Sequence, residues 1–222
     1  YGHIAKAAEY SVGHWLRDVQ GILSKHERPI IVGGTGLYFT ALTQGLANIP
    51  PIPDDLRAKG NALRADHGID ALLQDLDSAT RDSIDTQNPM RVQRAWEVLH
   101  ATGTSIIEWQ AQTPPPLLDV HTATAIVFDV EKDWLNDRIA QRFDSMLDTG
   151  ALAEAQDNLT DWNPSLLSSK AIGAPDLIAF CQGKIPLETA RSNATIATRQ
   201  FAKRQRTWFR SKMKTWINFS PT

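Results

Sequence analysis

The spacing of apolar residues along the chain predicts mostly helices, with two short runs that break the helical period. After Ser11, a natural N-cap, apolar side chains fall at Val12, Trp15, Leu16, Val19, Ile22 and Leu23, the i, i+3, i+4, i+7 pattern of one helical face. Ile30-Ile31-Val32 is instead a continuous β-branched run that stops at Gly33-Gly34-Thr35-Gly36, and a further helix over roughly 36–44 closes on Gly45. This predicts a strand–loop–helix joint: a strand buried on both faces reads as continuous apolar residues, and α/β sheets collect ligands at the carboxyl ends of their strands. Ile49-Pro50-Pro51-Ile52-Pro53 then forms a stiff linker, with Asp54 as the next cap. From there to Gln112 only helical periods occur, carried by Leu56 and Leu63, by Ile69, Leu72, Leu73 and Leu76, by Val92, Ala95, Trp96 and Leu99, and by Ile106, Ile107 and Trp109. Pro114-Pro115-Pro116 closes this stretch, and Thr124 to Val130 reads as a second strand. The stripe Trp134, Leu135, Ile139, Phe143, Met146, Leu147 stops at Gly150, and a long last helix begins near Leu187.

These elements predict an α/β core with parallel connections, formed by residues 1–49 and 117–222, and an all-helical domain over 50–116 inserted between two proline hinges. Composition narrows the class only a little. With 42% hydrophobic residues in 222 and a single cysteine, Cys181, the chain is expected to fold without disulfides in a reducing, cytoplasmic setting, with no membrane partner. Its first residue is Tyr1 rather than methionine, and a preceding segment is expected.

Charge changes the picture more. Residues 189–222 hold eight bases and no acid, which leaves the preceding 188 residues at −10 against −2 for the whole chain. On the last helix Arg199, Lys203, Arg206 and Arg210 share one stripe, and Ala197, Phe201 and Trp208 are placed on the other side. A helix with bases and no interspersed acids suits a polyanion, whose phosphates give affinity and register without sequence choice. The insert adds Arg57 and, behind Asn88 as cap, Arg91 and Arg94 one turn apart. Arg138 and Arg142, also one turn apart, either clamp a pyrophosphate or pair with Asp137 or Asp144 on the surface. No metal-ligand spacing occurs among the six histidines, and neither Gly-x-Ser-x-Gly nor Gly-x-x-x-x-Gly-Lys-Ser/Thr is present.

Four motifs together resemble the tRNA dimethylallyltransferase (isopentenyl-tRNA transferase) family. They are Val32-Gly33-Gly34-Thr35-Gly36-Leu37-Tyr38; Asn88-Pro89-x-Arg91-x-x-Arg94-Ala95-x-Glu97-Val98; Arg138-Ile139-x-x-Arg142-Phe143-x-x-Met146-Leu147; and Ala197-Thr198-Arg199-Gln200-x-Ala202-Lys203-Arg204-Gln205-x-Thr207-Trp208. They occur in the family's order, and Ser11 to Phe219 can be matched throughout. The resemblance implies a P-loop NTPase-like parallel-sheet core with a helical insert. It implies transfer of a dimethylallyl group from its diphosphate to the exocyclic amine of an adenosine next to the anticodon, with Mg²⁺ as cofactor. Thr35 matches the family's threonine near the target nucleotide and is the expected catalytic residue. Arg57, Arg91, Arg94, Lys170, Gly173, Lys203, Arg204, Gln205, Arg206, Thr207, Trp208 and Arg210 fall on positions expected to contact the tRNA anticodon arm, and Arg138 and Arg142 are the diphosphate candidates.

The family's phosphate loop, its aspartate base toward the amine and the Mg²⁺ ligands are all expected upstream of Tyr1. The 222 residues are therefore expected to be the carboxyl-terminal part of a longer, monomeric enzyme, inactive alone. Where many members carry Gly-Tyr-Arg, this chain has Gly173-Ala174-Pro175, so one anion contact near Lys170 is expected either to be lost or to be supplied from elsewhere. Two other readings stay open: a non-catalytic RNA-binding module, and a nucleotide or small-molecule phosphotransferase with the same core.

Overall fold

The computed structural model describes residues 2–221, which are rich in α-helix and carry one small parallel sheet. Helix α1 (Val12–Leu23) opens on a reciprocal cap: the Ser11 hydroxyl accepts from the His14 amide at 3.3 Å, and the Ser11 amide donates to His14 Nδ1 at 3.2 Å. Of its predicted apolar stripe, Val19 is buried and Trp15 stacks on Tyr38 with ring centroids 4.7 Å apart, while Ile22 stays half exposed. Helix α2 (Gly36–Gln44) follows the glycine joint, with Gly45 beyond its end at φ 91°.

The strand predicted at 30–32 does not form. Residues 30–32 belong to no ladder, and Ile30 and Val32 are 90% and 80% exposed. A strand is stabilised by a neighbour rather than by its own β-branched residues, and among the described residues no strand lies beside this one. The sheet consists of β1 (Ile126–Phe128) and β2 (Ile217–Phe219), paired in parallel with Ile126 opposite Ile217 and Phe128 opposite Phe219. Parallel strands need a long crossover, and here it is supplied by α7 (Lys132–Met146), α8 (Leu152–Asp157), α9 (Ala174–Cys181) and α10 (Leu187–Lys212).

The chain divides into two compact units, Tyr1–Phe39 with Val120–Thr222, and Thr40–Asp119. In the first unit, Phe143, Ala155, Leu177, Ile178, Ala190 and Ala194 form the core where α7 to α10 meet. Gly150 ends the course of α7 as the stripe predicts, since its backbone is non-helical. At φ 117° it turns α7 through a π-helical segment, Leu147–Ala151, directly into α8. Across this core Arg191 grips Asp144 with two bonds, Nε to Oδ1 and Nη2 to Oδ2, the latter 2.7 Å long, and this holds the Asp144 carboxyl below its ordinary pKa.

The second unit is built on α3 (Asp54–Leu73) against α5 (Pro89–Thr102), with α4 (Ser78–Ser83) and α6 (Ile106–Ala111) beside them. Leu72, Leu76, Val92, Ala95 and Trp96 form its core, with the buried Gly60 of α3 facing the Trp96 ring and the Gln93 stem. Gly68 interrupts α3 with non-helical angles, and Gly103 ends α5 in the left-handed conformation. The proline stretches are packed within this unit: Ile52 is buried, Gly45 lies against the Pro114 carbonyl, and the Leu118 amide donates to Leu42 O at 3.1 Å. The divide between units falls instead inside α2, at Phe39/Thr40, and at Asp119/Val120.

Candidate functional site

The glycine joint is held by side chains from the last helix. Gly34 faces the Gln205 amide and Gly36 faces the Trp208 indole so closely that a Cβ built on either glycine would overlap them. Neither glycine has positive φ, so what restricts them is space and not backbone angle: strictly at Gly36, against an indole ring, and loosely at Gly34, against the flexible end of Gln205. Phe39, in the first turns of α2, packs edge-on to Trp216 at 5.3 Å and tilted to Phe209 at 6.0 Å. Between its two glycines Thr35 remains exposed, and its carbonyl accepts the Tyr38 amide at 3.0 Å to start the helix. The joint therefore presents one exposed hydroxyl between two glycines packed against α10.

On α10 the residues packed inward run through Ala190, Ala194, Thr198, Ala202, Gln205 and Phe209. Phe201, placed by the helical wheel on the packed side, is exposed instead and lies beneath the Arg204 guanidinium, 5.6 Å from its ring centre. Ala190 and Ala194, in the Phe143 core, point nearly the same way as Ala197 and Trp208, so the buried direction of the helix holds and Phe201 departs from it. Lys203, Arg204 and Arg210 are exposed and Arg206 is half-buried, so the basic stripe is presented along one side. Arg210 also meets Asp129, at the carboxyl end of β1, at 3.6 Å, and Arg199 reaches the Asn136 carbonyl at 3.5 Å. The Thr207 hydroxyl donates to the Lys203 carbonyl at 3.0 Å within the helix. Gln205 and Trp208 thus lie at the glycine joint and not along the exposed stripe with Lys203 and Arg210.

The other candidates of this unit fall in two places. Arg138 and Arg142 are both exposed on α7, opposite buried Ile139 and Phe143. Arg138 stacks over the Trp134 ring at 5.0 Å, and Asp144, one of the acids expected to neutralise the pair, is taken by Arg191. Lys170 is exposed at the end of a 3₁₀ turn, Ser168–Lys170, whose middle residue Ser169 is buried. Gly173 is buried at φ 91°, where a side chain would strike the Phe143 ring, so its place is a packed N-cap of α9 ahead of Pro175. Sequence reasoning missed Asp129, which stands directly after the predicted strand's apolar run but is followed by Glu131 and Asp133, so that nothing in the sequence sets it apart.

In the Thr40–Asp119 unit, Arg91 is exposed and Arg94 half-buried on α5. The Asn88 side chain accepts from the Met90 and Arg91 amides at 3.1 and 3.3 Å, so the helix start is already capped and any anion there meets the guanidiniums. Burial, and secondarily Arg57, weaken Arg94's hold on its proton, while Glu97 opposes both. Arg57 itself lies 3.9 Å from Asp54. Behind them Gln93 Nε2 donates to Asn61 Oδ1 at 2.9 Å and to Glu97 Oε1 at 2.8 Å, fixing the buried side of α5. Among the described residues no group of three His, Cys, Asp or Glu side chains could hold a metal ion. Nor is any helix long and apolar enough to cross a membrane.

With this geometry in place, comparison with known proteins is informative. A family model described as IPP transferase matches residues 1–212. The tRNA dimethylallyltransferase of Roseobacter denitrificans is 57% identical over 222 residues, all of this chain and 78% of that protein. That of a Ruegeria species is 52% identical over 221 residues, again all of this chain and 75% of the relative. Among solved structures, the tRNA isopentenylpyrophosphate transferase of Bacillus halodurans aligns with TM-score 0.63 and 29% identity over 99% of this chain and 70% of its own. A eukaryotic dimethylallyltransferase, solved acting on tRNA, shares the fold with TM-score 0.78 at 20% identity, over 98% of this chain and 58% of its own.

Proposed function

The chain belongs to the IPP transferase family, and we propose that it moves a dimethylallyl group from dimethylallyl diphosphate to the exocyclic amine of an adenosine beside the anticodon of tRNA. The observation that carries this reading is the exposed Thr35, held on α10 by a packed joint, with the basic stripe running along the same helix. In the reaction the amine nitrogen forms a bond to the allylic carbon, the carbon–oxygen bond to the diphosphate breaks, pyrophosphate leaves with the electron pair, and the amine gives up a proton. The amine is a weak nucleophile inside stacked RNA, so the enzyme must extrude the base and hold it in line with the leaving group. In our reading Thr35 orients the extruded adenosine by a hydrogen bond. Lys203, Arg204, Arg206 and Arg210 bind backbone phosphates and set register. Arg57, Arg91 and Arg94 add a second phosphate-facing patch on the helical unit, and Lys170 a further contact.

Arg138 and Arg142, one turn apart and exposed, are assigned to the departing pyrophosphate, whose charge two guanidiniums can share bidentately. The parallel pair β1–β2, with its helical crossover, is read as part of a P-loop NTPase-like core. The Mg²⁺ that the family implies finds no fitting donor set among the described residues, and no step is routed through it.

The test is binding and transfer measured side by side. This chain is expected to bind an anticodon arm in a salt-sensitive manner. Labelled dimethylallyl should appear on adenosine once the family's phosphate-loop segment, a motif these residues do not contain, is supplied in the same polypeptide. Binding that ignores salt, or transfer of phosphate from ATP without prenylation, would overturn the assignment.

A further inference from the structure

Gln205 and Trp208 belong to a stretch in which Lys203, Arg204, Thr207 and Arg210 are exposed, yet both point at the glycine joint. We propose that these two side chains, and Trp208 above all, are positioning residues that latch the Thr35 loop onto α10, rather than contacts to RNA. Three observations converge. Gly36 is buried, and its missing Cβ is what admits the indole. The Trp208 Nε1 is fully buried with no hydrogen-bond partner among the described residues, so the ring is there for its shape and surface, with its one donor given up. Phe39 continues the same contact one turn later through Phe209 and Trp216. The helix that grips phosphates is in this way the wall against which the reactive loop is set, and RNA register is passed to Thr35 through a rigid side chain and not through a mobile loop.

The two glycines should respond differently. The far end of Gln205 can swing aside, whereas the indole, wedged against Gly36, cannot. The inference rests on the Thr35 reading for its consequence in catalysis but not for its structural content, and the experiment separates the two. Backbone amide exchange over residues 35–39 reads the latch without any turnover. Gly36→Ala is expected to speed exchange there by about tenfold or more and to lower turnover by about tenfold at saturating tRNA, while tRNA affinity changes by about twofold or less. Gly34→Ala should change both by about threefold or less. The Gly36→Ala/Trp208→Ala double variant should be no worse than Trp208→Ala alone, because the clash and the latch are one contact. Trp208→Phe, which keeps an aromatic surface, is the milder variant and should fall between. Costs that add in the double variant would overturn the proposal. So would Trp208→Phe and Trp208→Ala variants that weaken tRNA binding and flatten its salt dependence with loop exchange unchanged. If the latch behaves as expected while Thr35→Val leaves turnover untouched, the positioning stands and the role given to Thr35 fails.

Discussion

The two units solve the packing of an α-rich chain in opposite ways. Thr40–Asp119 is closed on itself: Trp96 is 1% exposed, its Nε1 donates to Asp75 at 2.8 Å, His100 Nε2 meets the same carboxylate at 2.9 Å, and Gln93 Nε2 donates to both Asn61 and Glu97. The other unit buries Phe143 and its neighbours well but leaves apolar groups in solvent, among them Ile30, Val32, Phe128, Ile217 and Phe219. Parallel strands ordinarily have both faces covered, so β1 and β2 with their exposed aromatic and aliphatic side chains are the less self-sufficient part of the molecule. The difference teaches where function is sought: the closed unit is a scaffold carrying arginines, and the open one holds a loop that packing constrains but does not cover.

The sharpest way to break the comparison is to open the closed unit. Trp96→Ala removes the largest fully buried side chain and leaves Asp75 with His100 but without the indole donor, and is expected to destabilise this unit by about 3–5 kcal/mol. Amide exchange should then rise across α3 and α5 while α7 and α10 keep their protection. At the joint the expected effect is catalytic. Thr35→Val keeps the shape and loses the hydroxyl, and turnover should fall roughly tenfold, about 1.4 kcal/mol, with tRNA affinity and melting temperature nearly unchanged.

A smaller effect is expected from pH. Hydrogen bonds from Trp96 first and His100 second hold the Asp75 carboxyl below its ordinary pKa. A group depressed on folding contributes stability that is fully present above its unfolded pKa, about 3.9, and is lost as pH falls through the lower folded value. Thermal melts of the wild type should therefore weaken in acid, and Asp75→Asn should flatten that acid limb modestly, since the carboxylate is half exposed.

What was legible in the sequence was local. The Ser11 and Asn88 caps, the left-handed glycines at 45 and 103, and the stripe from Leu72 to Trp96 depend on residues a few positions apart, and each stands where its spacing placed it. What was not legible depends on partners far along the chain. Ile30 to Val32 reads as a strand by composition, but a ladder requires a neighbour. Gly150 reads as a stop and is one, but that α8 follows at once and packs back on the Phe143 core was not legible. Gln205 and Trp208 read as members of a basic, RNA-facing motif. Their place against Gly34 and Gly36 is a contact between residues some 170 positions apart that no periodicity reports.

The central claim is a division of labour along α10, with affinity in its exposed bases and chemistry at the joint. The most direct measurement is the slope of tRNA affinity against salt. Lys203→Ala, Arg206→Ala and Arg210→Ala should each weaken binding and reduce the slope by about one, with Arg210 the least affected because Asp129 already competes for it. Turnover at saturating tRNA should barely move in these variants, and Thr35→Val should leave the slope unchanged. A slope that falls for Thr35→Val, or turnover abolished at saturation by the lysine and arginine changes, would reverse the roles of joint and helix and contradict the account.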